Sequence, residues 1–425
     1  APFNTSIPEL LSDSPKSLED LKKIRQTRKE DSEAGKELLK KEIQTSNELK
    51  AWWIDEMKTA DFPLREKMTL FWENHFVTSY QKVKVNYWIY QKNQMLRENA
   101  FGNFKTLTKK AMQTNAMVRY LDNVDNKKGK LNENLSRELL ELFTLGIGNY
   151  SEADIKNGAK GLAGLGVGET TAMYRRFLED NDPIEYLGKK GVLKLDEMVD
   201  AIFDHPKIPY LLTQKILQWF LYDEPKENLV KHYGDYFRKV NFEIKPLLIK
   251  IFTEEFAKND TAGSKIKNPL EYILLLTSEL KTQRPESTTI AFFLKQQGMD
   301  LFNPPNVKGW DGGKSWLTSQ IYLQRNNVAD LLSSGKSIPR SKLERENTLN
   351  KKQAFSISLD WNTKGTNKEI IKELTDRLLF STDTSLQQDL EKILKYDFDP
   401  QSLGANDAVL RLFNAIIKSP EFQLI

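Results

Sequence analysis

The sequence predicts a mainly α-helical fold: a large multi-helix assembly with at most a short β-hairpin or isolated strands. Three observations point there. Apolar residues recur at helical spacing along most of the chain, as in Leu64, Met68, Phe71, Trp72, His75 and Phe76. Short polar joints separate these stretches, which is the pattern of helices packed on helices. Strand-like alternation is confined to Phe355, Ile357, Leu359 and Trp361. The expected organisation is an N-terminal arm and solvated helical segment over 1–50, a main helical domain over 51–333, a polar loop with one short strand over 334–366, and C-terminal helices over 367–425 packed on the main domain.

The elements follow in order. Residues 1–15 carry Pro and Ser and read as irregular. From Ser17 to about Glu48 the chain is charged, with apolar residues at Leu18, Leu21, Ile24, Leu38, Leu39 and Ile43, so a solvated helix or helical pair is expected. Trp52, Trp53 and Met57 begin the packed part. Pro63 suits the first turn of PLREKMTLFWENHF, where its missing N–H costs nothing. That spacing puts His75 on the core side, where a lone histidine is more often a satisfied core residue than a ligand, and turns Glu73 and Asn74 away. Helices are expected at about 84–98, 103–113 and 132–145. Ser151 and Asp154 form a capping-box start for a helix to about Leu162. GLAGLGVG (161–168) lacks the Gly-Lys-Ser/Thr of a P-loop and lies in no βαβ unit, so it reads as a helix end and turn. Residues 172–192 are irregular with room for a β-hairpin. Helices resume at about 194–204, 207–221, 225–238, 243–257, 268–280 and 286–297, then to Leu332, and close the chain at about 367–380, 384–395 and 406–418.

Composition bounds the function. The 425 residues carry 63 Lys+Arg against 59 Asp+Glu, a net charge of +4, with no uninterrupted basic tract, so nucleic acid is not the expected partner. Hydrophobic residues make up 39% of the chain, enough for a sizeable core, and the mean hydropathy of −0.56 fits a soluble protein. No apolar run approaches the ~20 residues of a membrane span. There is no cysteine, which excludes disulfides, thiolate metal sites and a cysteine nucleophile. The three histidines, His75, His205 and His232, lie too far apart in sequence to suggest a shared metal site. No cofactor is expected. The chain opens at Ala1, and the expectation is a processed N-terminus from which a signal peptide has been removed.

One stretch concentrates the polar chemistry. In NENLSRELLELFTLGIG (132–148), Leu131, Leu135, Leu139, Leu142 and Phe143 share an apolar face. Asn134, Glu138 and Glu141 fall within about 60° of one another on its flank. A carboxylate at the edge of a buried stripe must be paired or protonated. Two readings stay open: an Arg–Glu network joining helices, and a perturbed carboxylate in a cleft. Asn134, Arg137, Arg97 and Asp154 are the expected members of the polar network, with His75 beside it. A second stretch, NPPNVKGWDGGKSW (303–316), cannot be helix or strand interior. It is expected to be an ordered loop, with Asn306, Trp310, Trp316 and, on the helix that follows, Arg325 as candidates for a cleft wall.

These motifs resemble one bacterial family, the domain-of-unknown-function family 1800. The resemblance rests on PLREKMTLFWENHF, LREN-AFGNF (96–104), YLDN (120–123), NENLSRELLELFTLGIGNYSEADI (132–155), NPPNVKGW with the following SWLTS, and SPEFQ (419–423). It implies a mostly helical exported protein, extracytoplasmic in the periplasm or at the cell surface, whose relatives are often encoded beside exported proteins resembling alkaline phosphatases and sulfatases. The family carries no established reaction. This chain departs from the family pattern at three histidines: Glu73 stands in W-H-N-H-F, Asn99 follows the LR motif, and Asn181 precedes Asp182. The family's L-T-G-W is Leu162–Leu165 here.

The expectation is therefore a non-catalytic or catalytically degenerate scaffold or accessory subunit of a bacterial cell-envelope complex. Its partner would be an exported protein of the phosphatase/sulfatase-like type or a polysaccharide. One alternative is a hydrolase of an extracytoplasmic polymer using Glu138 or Glu141 with His75. Another is a divalent-cation protein, for which Glu73 and Asp122 are weak ligand candidates.

Overall fold

The computed structural model describes residues 6–30, 32–258, 261–282, 287–334 and 356–425. They form two compact units. The first runs to Phe220 and adds Glu224–Ala257 and Phe302–Trp310; the second takes Leu221–Asp223, Lys258–Leu301 and Asp311–Ile425.

In the first unit, α1 (Leu18–Glu30) and α2 (Ser32–Thr59) pack on each other. Helix α2 runs on through Trp52 and Trp53 into the core. Pro63 opens α3 (Pro63–His75) at its first turn, as its sequence position predicts. Then come α4 (Tyr80–Val83), α5 (Asn86–Glu98), α6 (Phe104–Met112), α7 (Asn115–Tyr120), α8 (Asn134–Glu138) and α9 (Glu152–Gly161). Asn103 and Thr114 cap α6 and α7 through their side-chain oxygens. The strong apolar pattern around α7 conceals the break that Thr114 introduces, so this short helix is not separated in the sequence reading.

Two small antiparallel pairs follow. Leu165–Gly166 (β1) pairs with Met173–Tyr174 (β2), and Ile184–Tyr186 (β3) with Lys189–Gly191 (β4). The second pair is the expected hairpin. Leu187 and Gly188 both take positive φ at its turn, the geometry that matches strand twist in a two-residue loop. Helices α10 (Leu195–Asp204), α11 (Ile208–Phe220), α12 (Glu227–Lys239) and α13 (Ile244–Glu255) complete the unit. Its core is aromatic. Trp72, Phe76, Phe104, Phe143, Phe203 and Phe237 are all buried, and Trp53 stacks on Phe302 with ring centroids 4.8 Å apart. Full burial of each such side chain contributes about 1.5–3 kcal/mol.

In the second unit, α14 (Pro269–Glu279) begins with a capping box between Asn268 and Glu271. It packs with α15 (Ser287–Gln296) and α16 (Ser319–Ser333), and three helices, Asn367–Leu378, Thr384–Ile393 and Ala405–Ile417, close the chain. The strand expected over Phe355–Trp361 does not form in its described part. Residues 356–361 run without strand pairing, and Ser358 makes one backbone bond to the Leu280 carbonyl. Phe355 lies outside the described residues.

Candidate functional site

The polar stripe sits on a helix that changes its winding. Asn134–Glu138 is α-helical, and Leu139–Thr144 then continues as a π-turn. The Leu145 N–H reaches back five residues to the Leu140 carbonyl at 2.9 Å, and Thr144 Oγ1 donates to the Leu139 carbonyl at 2.5 Å. Widening the turn shifts the register of everything after Leu139, so a regular wheel does not describe where Glu141 lies. Leu131 precedes the helix and is exposed instead of joining the buried face. The three stripe residues consequently meet three different surroundings.

Asn134 Nδ2 donates to Asp122 Oδ2 at 3.2 Å, and Lys82 Nζ donates to the same oxygen at 2.7 Å. Glu141 Oε2 accepts from the Tyr150 hydroxyl at 2.9 Å. Burial and that bond push the Tyr150 phenol up to about 12. Glu138 is half-buried, and among the described residues its carboxylate has neither a hydrogen bond nor an ion pair. Burial first, then the charge of Glu141, raise its pKa against the opposing pull of Arg137 and Lys308. The nearby Tyr120 phenol is raised by burial and by Glu138. Arg137 lies to one side, pairing with Glu133 at 3.2 Å and Glu152 at 3.1 Å on the partly exposed face. The stripe is therefore not an Arg–Glu network. It is one unpartnered carboxylate flanked by two tethered polar groups.

His75 lies beneath this helix and is sealed. Its ring packs against Phe71, Trp72, Phe76, Phe104 and Phe143. Nε2 lies 3.0 Å from the Phe143 carbonyl, and a carbonyl only accepts, so Nε2 carries the hydrogen. Nδ1 is then the acceptor facing Lys215 Nζ at 3.4 Å. Burial and the Lys215 charge hold His75 well below its usual range, so it is neutral. Lys215, on α11, also donates to the Leu142 carbonyl at 2.9 Å, and desolvation pushes it down to about 8. The π-turn carbonyls are the link, since Leu142 and Phe143 have helix-end oxygens that need donors, and Lys215 and His75 supply them.

Other expected members lie elsewhere. Arg97 is fully buried and grips Glu66 through Nε at 2.7 Å and Nη2 at 2.9 Å, with Trp53 Nε1 donating to Glu66 Oε2 at 3.0 Å. Its charge is matched there, between α3 and α5. Asp154 forms the expected capping box, accepting from Ser151 Oγ at 2.6 Å, and also accepts from the Leu187 N–H at 2.8 Å. Burial alone would raise its carboxyl, but these bonds hold it below the usual range. Glu73 does not turn to solvent. It is buried and bonded to Lys92 Nζ at 2.5 Å and to Asn93 Nδ2 at 3.2 Å. Asn99 accepts from Lys110 Nζ at 2.9 Å.

The loop candidates divide between the two units. In the first, Asn306 Oδ1 accepts from the Lys308 N–H at 2.8 Å in a tight turn. Asn74 Oδ1 accepts from the Trp310 N–H at 2.7 Å while its Nδ2 donates to the Trp310 carbonyl at 3.3 Å. Gly309 takes φ +88°, and a Cβ there would lie 2.2 Å from Asn74 Oδ1, so only glycine fits. In the second unit Trp316 is buried, and Arg325 is an internal staple, not a wall. Arg325 donates to Gln423 Oε1 at 3.0 Å and to the Lys267 carbonyl at 2.6 Å. Burial pushes it down to about 10.

Sequence reasoning missed Lys215, Tyr150, Tyr120, Lys82 and Lys308 around the stripe. Helical spacing could have flagged only Lys215, a lone cation on the largely apolar α11. Among the described residues, no group of three or more His, Asp or Glu is placed to hold a metal ion. Of the weak ligand candidates, Glu73 is paired with Lys92 and Asp122 with Lys82. No helix among the described residues is long and apolar enough to cross a membrane. No curated protein and no solved structure matches the chain. The family model described as "Protein of unknown function (DUF1800)" matches residues 2–424, nearly the whole sequence, and the chain belongs to that family.

Proposed function

We propose that this protein is a non-catalytic, exported helical scaffold that holds a partner in a bacterial cell-envelope complex. The observation that carries this reading is the internal use of the polar motif residues on α3. His75 has both ring nitrogens engaged inside the core, Glu66 is locked to Arg97, and Glu73 to Lys92. A sealed neutral histidine cannot relay protons to Glu138, so the acid–base partner that a hydrolase reading assigns to it is missing. An exported partner resembling alkaline phosphatases or sulfatases, or a polysaccharide, fits such a scaffold. The test is affinity capture of the tagged protein from its native envelope under mild detergent. Recovery of one stoichiometric partner supports the reading, and recovery of this chain alone counts against it.

One observation favours a second reading. Glu138 is half-buried, unpartnered and raised in pKa, as a general acid should be. Glu141 is too near on the same helix to flank a glycosidic bond with it, but Asp122 reaches the stripe from another element through Asn134. Hydrolysis of an envelope polysaccharide that Glu138→Gln abolishes, with the fold intact, would favour this reading over the scaffold.

A further inference from the structure

The first unit contains a cleft of about 330 Å³, lined by none of the stripe residues, that the scaffold reading does not use. Its walls come from α1 (Leu18, Lys22), from α7 and the turn after it (Arg119, Asn123), from the glycine stretch Gly164–Val167, and from Arg175 and Leu178. Among the described residues, every charged lining residue is a cation: Lys22, Arg119 and Arg175. Like charges converging on one recess repel, and an anion relieves that repulsion.

The recess is built before any ligand arrives. Asn123 is buried and donates to the Leu162 and Leu165 carbonyls at 3.1 and 2.7 Å. Buried Asn126 donates to Asn123 Oδ1 at 3.0 Å and the Ala159 carbonyl at 2.9 Å. The Gly164 N–H reaches the Asn126 carbonyl at 2.9 Å, and the Arg175 N–H reaches the Gly164 carbonyl at 3.0 Å. Both arginines are oriented by backbone: Arg119 Nε donates to the Val83 carbonyl at 2.9 Å and Arg175 Nη2 to the Val167 carbonyl at 3.1 Å. Lys22 and Arg175 make no ion pair among the described residues. The asparagine amides are committed to the backbone and to each other, so recognition falls to the cations, with Leu18, Val124, Leu165, Val167 and Leu178 offering apolar surface.

We infer that this cleft binds an organic anion, a carboxylate- or sulfate-bearing group on a small body with an apolar face. Guanidinium forks match carboxylate and sulfate oxygens in pairs. The volume lies at the small end of ligand pockets, which suits one acidic sugar residue or one free small acid. The inference is independent of the proposed scaffold role.

Calorimetric titration of the full chain with galacturonate, trigalacturonate, galactose and inorganic sulfate tests it. Galacturonate should bind at least about tenfold more tightly than galactose or inorganic sulfate, and Arg175→Gln should weaken it about tenfold or more, the effect of one charge-assisted bond. Gly166→Val should block the cleft. A Cβ at Gly166 meets only Arg175 Nε, at 3.8 Å, so a side chain there enters open space. If that variant melts early, Lys22→Gln on the exposed side of α1 replaces it. Trigalacturonate binding more than threefold tighter than the monomer identifies a polymer as the source, and equal binding per residue identifies a free acid. Equal affinity for galactose or sulfate, no binding at all, or binding that survives Arg175→Gln overturns the inference.

Discussion

Replacing Lys92 by methionine removes a buried charge with little change of shape, and leaves Glu73 in the core without its counter-ion. The two side chains are 0% and 6% exposed, and the ammonium is 2.5 Å from the carboxylate. Burial pulls the Lys92 pKa down while Glu73 pulls it up, and burial prevails. Breaking one side of a buried pair costs about 3–5 kcal/mol, because the survivor keeps its desolvation penalty without a partner. At about 2–4 °C per kcal/mol for a unit of this size, the transition of the first unit should fall by about 6–20 °C. The double variant Glu73→Gln/Lys92→Met removes both charges and keeps an acceptor for Asn93, so it should recover at least half of that loss. Differential scanning calorimetry with urea titration measures both. A Lys92→Met shift below 2 °C, or a double variant no better than the single, would refute the assignment of this pair as an interdependent core element.

Three further outcomes follow from the same geometry. His75 titrates well below its usual range when folded, so the unfolded chain binds the extra proton as pH falls through about 6.5; stability should drop by about 2 kcal/mol between pH 7.5 and pH 5, and His75→Gln should abolish that part of the slope in urea titrations. Gly309→Ala forces a Cβ into Asn74 at positive φ and should cost about 1–3 kcal/mol, with faster proteolysis of the 303–310 loop as the local readout. Glu138 has a raised folded pKa, so its charge opposes folding above that pKa and stability should rise as pH falls through it; Glu138→Gln should lose no stability at neutral pH, and a clear loss would show that a partner holds the carboxylate.

Local signals in this chain were legible because they are local. Pro63 at a first turn, Ser151 with Asp154 in a capping box, and the spacing of Leu135, Leu139 and Phe143 each depend on residues within two turns of one another. The mainly α fold and most helix bounds follow from such signals. What the sequence could not show is which charge meets which. Glu66 finds Arg97 31 residues away and His75 finds the Phe143 carbonyl 68 residues away, and spacing along one helix carries no information about either. The π-turn was hidden for a related reason. Nothing in LLELFT forbids a regular helix; the wider turn is matched to donors on α3 and α11 that lie far off in the chain.

That turn also explains why Glu138, of the three stripe residues, has no partner among the described residues. The helix-end carbonyls of Leu142 and Phe143 are satisfied from below by Lys215 and His75, which fixes the π-turn to the core. Glu141, inside the turn, is carried to Tyr150, and Asn134, one α-helical turn before Glu138, to Asp122. Glu138 closes the α-helical part, where neither tether reaches it, and Arg137 has already committed its guanidinium to Glu133 and Glu152. A half-buried carboxylate left in that position costs stability at neutral pH. A purely internal role would be served better by glutamine, so Glu138→Gln, which removes the charge and keeps the shape, separates a structural use of this carboxylate from a functional one.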